Sequence, residues 1–261
     1  MIFSSYLEIN YDDSFLENPI PIDHSFNIPL EITYSTDIPE TFGRFLPWQI
    51  RNIILFGSMI GPMQKIHVEV IDTPAWADIH FTQPDLFVSI PFENEPQSGL
   101  TTLVISLRDD APASPQSINI QASCQALGRI QPRVFNKPLS FTPQYLPLLS
   151  ISMENNVITT PPNTIVQIPF EVTNKGNKLS SVYYELAGEL DGWFYGWAPP
   201  ILVINSDETE IVTLILEAPD EFEGDEIVFV DFFTRRFPFQ GEDPWSGPFS
   251  MYFIVEYSEE S

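Results

Sequence analysis

Two heptapeptides of this chain, Asn27 to Thr33 (NIPLEIT) and Gln167 to Thr173 (QIPFEVT), follow one pattern: Ile, Pro, a large apolar residue, Glu, a β-branched residue, Thr. The match extends in both directions. YLEINYDDSFLENPIP precedes the first copy and LLSISMENNVITTPPN the second, while KIHVEVIDTPAW follows the first and SVYYELAGELDGW the second. Further on, TTLVISLRDDAP answers ETEIVTLILEAP, and SINIQASC followed by KPLSFTPQYLP answers EIVFVDFF followed by GPFSMYFIVEY. The block order is kept throughout, so the chain is an internal duplication. A duplication of about 130 residues per copy has the size of an ordinary domain.

Each block alternates apolar and polar residues with a period of two, which places successive side chains on opposite faces of a strand. Ile28, Leu30 and Ile32 face one way in the first copy, as do Ile168, Phe170 and Val172 in the second. By the same reading Leu103, Ile105 and Leu107 correspond to Val212, Leu214 and Leu216. Nothing sustains a helical period over three turns. Short strands separated by Pro, Asn, Asp and Gly turns predict an all-β chain of two antiparallel β-sandwiches, residues 1–147 and 148–261, split near Pro147. Proline cannot donate to a ladder, so Pro29 and Pro169 predict a bulge, or a strand that changes partner, at the same place in both copies.

The second copy carries more specific motifs: Val172-Thr173-Asn174-Lys175-Gly176-Asn177, then Asp191-Gly192-Trp193, then Glu208 to Pro219. These resemble the Ig-like repeats of prokaryotic, often archaeal, surface and secreted proteins, of the CARDB and NPCBM-associated type. The resemblance covers residues 149–257 moderately well and 5–148 more weakly. It implies tandem Ig-like, seven-stranded extracellular sandwiches that serve as spacers or interaction modules, with Trp193 as a buried loop tryptophan.

Composition sets limits on partners. With 36 acidic and 11 basic side chains the formal charge is −25. Such a surface repels nucleic acid, because phosphate binding needs Lys and Arg to displace counterions. Cys124 is the one cysteine, so no intrachain disulfide forms; its place in a predicted core strand makes it an apolar filler. No leader-like segment opens the sequence and no apolar run reaches membrane-spanning length. Contact with a membrane is therefore expected only through an anchor in a longer parent chain. The chain contains no N-x-S/T acceptor, which counts against a glycosylated surface protein.

The first copy departs from the second by an apolar insertion, about 34–65, containing Trp48, Ile50, Ile53, Ile54, Leu55, Phe56, Met59 and Ile60. A smaller surplus of about eight residues follows Trp76 and contains FTQPDLFVSIPF. The insertion is an extra strand or short helix packed on domain one or in the interdomain crease, or an exposed surface for a protein partner, a second copy included, or a segment that inserts into a membrane. Large exposed apolar patches on soluble proteins mark contact sites. Tyr195 and Trp197 could stack on a sugar ring, and Trp245 lies near the tip of an aromatic hairpin. Asp220, Glu223 and Asp225 form an acidic turn that could bind Ca²⁺ weakly, although it lacks EF-hand spacing. No other cofactor is implied.

The three histidines are scattered, and no hydrolase, metalloprotease or nucleotide-loop motif occurs. The sequence therefore reads as a non-catalytic ectodomain at the cell surface, a spacer and protein-interaction module. The alternatives are a carbohydrate-binding accessory module of a secreted hydrolase, or a subunit of a larger membrane-associated complex.

Overall fold

The computed structural model describes residues 2–59, 61–221, 224–239 and 243–258, the side chains of 43 and 44 excepted. The chain divides into two units, Met1–Gln144 and Tyr145–Ser261. Unit 1 contains β1 (Ser5–Asn10), β2 (Phe26–Thr36), β3 (Gln64–Ile71), β4 (Ala77–Phe81), β5 (Asp85–Val88), β6 (Gln97–Leu107), β7 (Gln116–Cys124) and β8 (Arg133–Phe141). One sheet runs β1-β2-β6-β4 and the other β5-β3-β7-β8. Unit 2 contains β9 (Leu149–Ser152), β10 (Val157–Thr160), β11 (Ile165–Asn174), β12 (Ser180–Leu186), β13 (Phe194–Ala198), β14 (Leu202–Ile204), β15 (Thr209–Glu217), β16 (Glu226–Arg236) and β17 (Ser246–Tyr257). Its sheets run β9-β11-β15-β13 and β14-β12-β16-β17-β10.

Written in this order, the two units have one topology. Both are Ig-like antiparallel β-sandwiches, and β10 alone has no full counterpart in unit 1. It pairs parallel with β17, Val157 opposite Ile254 and Thr160 opposite Tyr257. In unit 1 the equivalent segment is reduced to one parallel bridge, Ile20 with Pro143. Inward residues of both sheets fill each core. Ile28, Leu30, Ile32, Leu103, Ile105 and Ile120 lie in the first, and Phe170, Val172, Tyr184, Leu214, Phe232 and Phe253 in the second. Each such side chain contributes about 1.5–3 kcal/mol through burial. Trp193 is buried in the second core, while Trp76 packs edge-to-face on Phe141 at the first.

Four expectations change. Pro29 pairs with Thr102 and Pro169 with Thr213 in continuous register, without a bulge. Strand β1 stops at Asn10 opposite Glu31, and β9 at Ser152 opposite Glu171. Each proline thus sits where its strand overhangs its outer neighbour, and the missing N–H removes no ladder bond on that side.

The correspondence along β6 and β15 is offset by two residues. Ile28 pairs with Leu103 and Ile168 with Leu214, so Leu103 matches Leu214, and Leu107 matches Ala218. A two-residue slip preserves the in–out alternation, which is why the pattern alone does not detect it.

FTQPDLFVSIPF is not an extra element, although copy one is a few residues longer here. It forms the end of β4 and all of β5, whose counterparts are β13 and β14. The sandwiches have eight and nine strands among the described residues, not the seven that the resemblance implies.

The repeats also place different chemistry at one shared position. Asn174 pairs with Leu149, and Tyr34 pairs with Leu7. The Tyr34 ring is fully buried, and among the described residues its hydroxyl, near Ser5 and Cys124, has no partner in hydrogen-bond geometry. Burial pushes the phenol well above its usual range. An unpaired buried hydroxyl is costly, so Tyr34→Phe is expected to leave stability unchanged or raise it by about 1 kcal/mol. Calorimetry checks this; a lowered melting temperature would show that the hydroxyl is bonded.

Candidate functional site

The insertion folds as two short helices between β2 and β3: α1 (Glu40–Phe45) and α2 (Trp48–Phe56). Pro39 and Pro47 cap them. The Pro47 carbonyl accepts from Arg51 N at 3.0 Å. Gly57 closes α2 in the left-handed region, φ 72°, and its N–H donates to the Ile53 carbonyl. Glycine adopts that conformation without the steric penalty of a Cβ.

α2 is held from beneath. Leu55 enters a small third core with Phe3, Ile38 and Ile130, against which Phe42, Phe56, Ile90 and Phe92 pack. The Phe3 and Phe42 rings meet edge-on at 5.8 Å. The Arg51 guanidinium lies 5.1 Å over Phe92, and buried Asn52 donates from Nδ2 to the Met59 carbonyl. The C-terminal turn is clamped by a loop distant in sequence: Arg129 N donates to the Leu55 carbonyl at 3.0 Å. A Cβ on Gly128 would stand 2.2 Å from that carbonyl oxygen, so only glycine fits. A cleft of about 190 Å³ opens beside the helix, lined by Ile38, Arg51, Asn52, Leu55, Phe56 and Phe92 among others.

The candidate residues on and next to α2 differ in exposure. Leu55 is buried, and Ile54 and Phe56 are half-buried. Trp48 (54 % exposed), Ile50, Ile53 (46 %) and Met59 (64 %) face outward. Ile60 lies outside the described residues. Phe45 and Met63 extend the exposed apolar surface beyond the residues that sequence reasoning singled out. The insertion is thus both packed and displayed.

The loop aromatics do not come together. Tyr195 and Trp197 lie on β13, a strand of the sandwich. Tyr195 is half-exposed at the rim. Trp197 pairs with Leu214 and packs inward, its ring 4.8 Å from Tyr184 and 6.0 Å from Phe170. Its place matches that of Phe81 in unit 1, which pairs with Leu103. Trp197 therefore serves the core and offers no shared sugar platform with Tyr195. Trp245 sits on the outer face of the other sheet of unit 2, 5.8 Å from Tyr183.

Asp220 and Asp225 are exposed on their turn, and Glu223 lies outside the described residues. Among the described residues no three His, Cys, Asp or Glu side chains are grouped to hold a metal ion. The histidines are dispersed, each beside a carboxylate: His24 with Asp23, His67 with Asp85, His80 with Asp78. Hydrogen bonds from Lys65 and then His67 hold the Asp85 carboxyl below its usual range. Cys124 is buried, and burial raises its thiol pKa.

Sequence reasoning missed the aromatic outer face of β16 and its neighbours: Phe229 on Tyr252, and Tyr183 on Phe233. A signal was present. EIVFVDFFTRR is apolar at both parities, as a strand carrying apolar side chains on both faces must be.

No protein-family model and no curated protein matches the chain. Solved structures overlap its path at low similarity. A Porphyromonas gingivalis W83 protein of unknown function has a TM-score of 0.33 and 8% identity, covering 97% of this chain and 99% of its own. The human CEP192 ASH/PapD-like domain has a TM-score of 0.30 and 13% identity, covering 42% and 84%. The sialic acid binding region of a Streptococcus sanguinis adhesin has a TM-score of 0.30 and 8% identity, covering 97% and 77%.

Proposed function

We propose that the chain is a non-catalytic protein-interaction module of a cell-surface protein, and that unit 1 presents α2 to a protein partner. One observation carries this reading: Ile50 and Ile53 are exposed on the side of α2 opposite Leu55 and Asn52, which fix the helix, and Trp48 at its start and Met59 just past its end are exposed as well. A rigid, exposed apolar patch has the character of a contact surface. The dispersed histidines and the buried, raised-pKa thiol support a role other than catalysis. In this reading the sandwiches are surface repeats of the CARDB and NPCBM-associated kind, for which the Asn174–Gly176 turn and the buried Trp193 speak. No helix among the described residues is long and apolar enough to cross a membrane.

The test is site-specific photo-crosslinking in the source cells, with the crosslinker at Ile53 and, as a control, at Ile211. Both positions are exposed, and Ile211 lies on β15 of unit 2. A discrete adduct from position 53 and none from 211 is expected, in the surface fraction. An adduct of twice the chain mass identifies the partner as a second copy. If 53 and 48 yield no discrete adduct, α2 is not a docking surface.

A further inference from the structure

The outer face of the sheet that contains β12 and β16 holds a second feature, in unit 2 and independent of the proposed docking. A hollow of about 310 Å³ is walled by Tyr183, Phe233 and Trp245, with Glu185 beside them. The Tyr183 ring lies 6.2 Å from Phe233 and 5.8 Å from Trp245, tilted by 34° and 47°. Strand register sets the pattern, with Tyr183 opposite Phe233 and Glu185 opposite Asp231. The Tyr183 hydroxyl donates to Glu185 Oε2 at 2.9 Å. That bond raises the phenol's pKa and keeps it a donor.

We propose that this hollow binds an alkylammonium group, either a small free quaternary ammonium ion or the head of a lysine side chain. Two independent features converge on it. Three aromatic rings line one open hollow, and ring faces attract alkylammonium cations. Next, two carboxylates lie directly opposite each other across β12 and β16, an arrangement that is destabilising without a positive charge nearby. Asp231 accepts from Ser250, and among the described residues neither carboxylate has an ion pair with Lys or Arg.

The nearby cations are accounted for. Arg236 is neutralised by a two-point bond to Asp243. Arg235 is stacked between Phe239 at 4.0 Å and Trp245 at 4.2 Å, which shows the Trp245 ring already engaging a cation. Counting Glu185, Asp231 and Arg235, the patch keeps a net negative charge within a chain of formal charge −25, complementary to a cationic ligand. Ca²⁺ or Mg²⁺ would need six or more oxygen ligands, whereas three walls here are rings.

The experiment is a titration of the full chain with choline, followed by NMR at the Trp245 indole N–H and the Tyr183 and Phe233 amides. A saturable shift is expected, with a dissociation constant of roughly millimolar order for a site of a few cation–π contacts. The neutral isostere 3,3-dimethylbutan-1-ol should bind at least about tenfold more weakly, as should choline to Glu185→Gln. Trp245→Ala should abolish the shift, and its melting temperature, with that of Glu185→Gln, serves as the folding control. Titration with acetyl-lysine amide and its trimethylated form separates the sources: tighter lysine binding indicates a protein-borne head group, tighter choline binding a free ion. The proposal is overturned by equal binding of the neutral isostere, by no effect of Glu185→Gln, by a response to neutral oligosaccharides alone, or by no saturable shift.

Discussion

Asn174→Ala is expected to destabilise unit 2 by about 3–4 kcal/mol, a large loss for one side chain. The residue is buried and every polar atom of its amide is used. Nδ2 donates to the Lys178 and Ile204 carbonyls at 2.8 and 3.0 Å, and Oδ1 accepts from Gly176 N at 2.9 Å. Its backbone joins the same knot, with N donating to the Glu208 carbonyl and O accepting from Asp207 N. Alanine would leave three backbone groups without the partner that satisfies them, in a place water does not reach freely. For a unit of this size the melting temperature should fall on the order of 15 °C. Amide exchange localises the effect: protection across β11 and β12 should drop, while that across β2 and β6 stays. A fall of only a few degrees would mean that water replaces the amide and that the knot is not the fastening described.

Gly128→Ala is the second large effect, expected at about 2–4 kcal/mol in unit 1. The backbone there has φ 58°, and the new Cβ would meet the Leu55 carbonyl oxygen at 2.2 Å and Phe56 Cα at 2.8 Å. Both contacts are with helix backbone, so neither neighbour can swing aside. The loop must withdraw, and the bond from Arg129 N to the Leu55 carbonyl goes with it. Protection at Gly57 and the last turn of α2 should collapse, and crosslinking from position 53 should weaken although no residue of α2 has changed. Wild-type protection through α2 in this variant would show that the loop does not hold the helix.

The two variants mark what sequence could and could not show. The duplicated core was readable, because a buried face in a strand imposes alternation and the alternation survives wherever Ile28, Leu30 and Ile32 or Ile168, Phe170 and Val172 stand. The two-residue offset along β6 and β15 was not, since alternation has no memory of a shift by its own period. β13 and β14 escaped notice for other reasons. FYGWA carries aromatics on both parities with a glycine between them, and LVI is three residues long. α2 is apolar nearly all round, so its nine residues show no helical stripe, and which side is buried depends on a glycine about seventy positions away. The ring-walled hollow needs three segments, β12, β16 and the approach to β17, brought together by register alone.

The parallel pairing of β10 with β17 has a mechanical consequence. Tension that enters unit 2 ahead of β10 and leaves it beyond Tyr257 pulls two neighbouring strands in opposite senses along their length. Their hydrogen bonds are loaded together in shear, instead of being opened one after another. Unit 1 places a lone Ile20–Pro143 bridge where unit 2 has this ladder. A chain built to hold a contact away from a surface would thus carry its stronger clasp in the second sandwich and its more yielding one in the sandwich that displays α2.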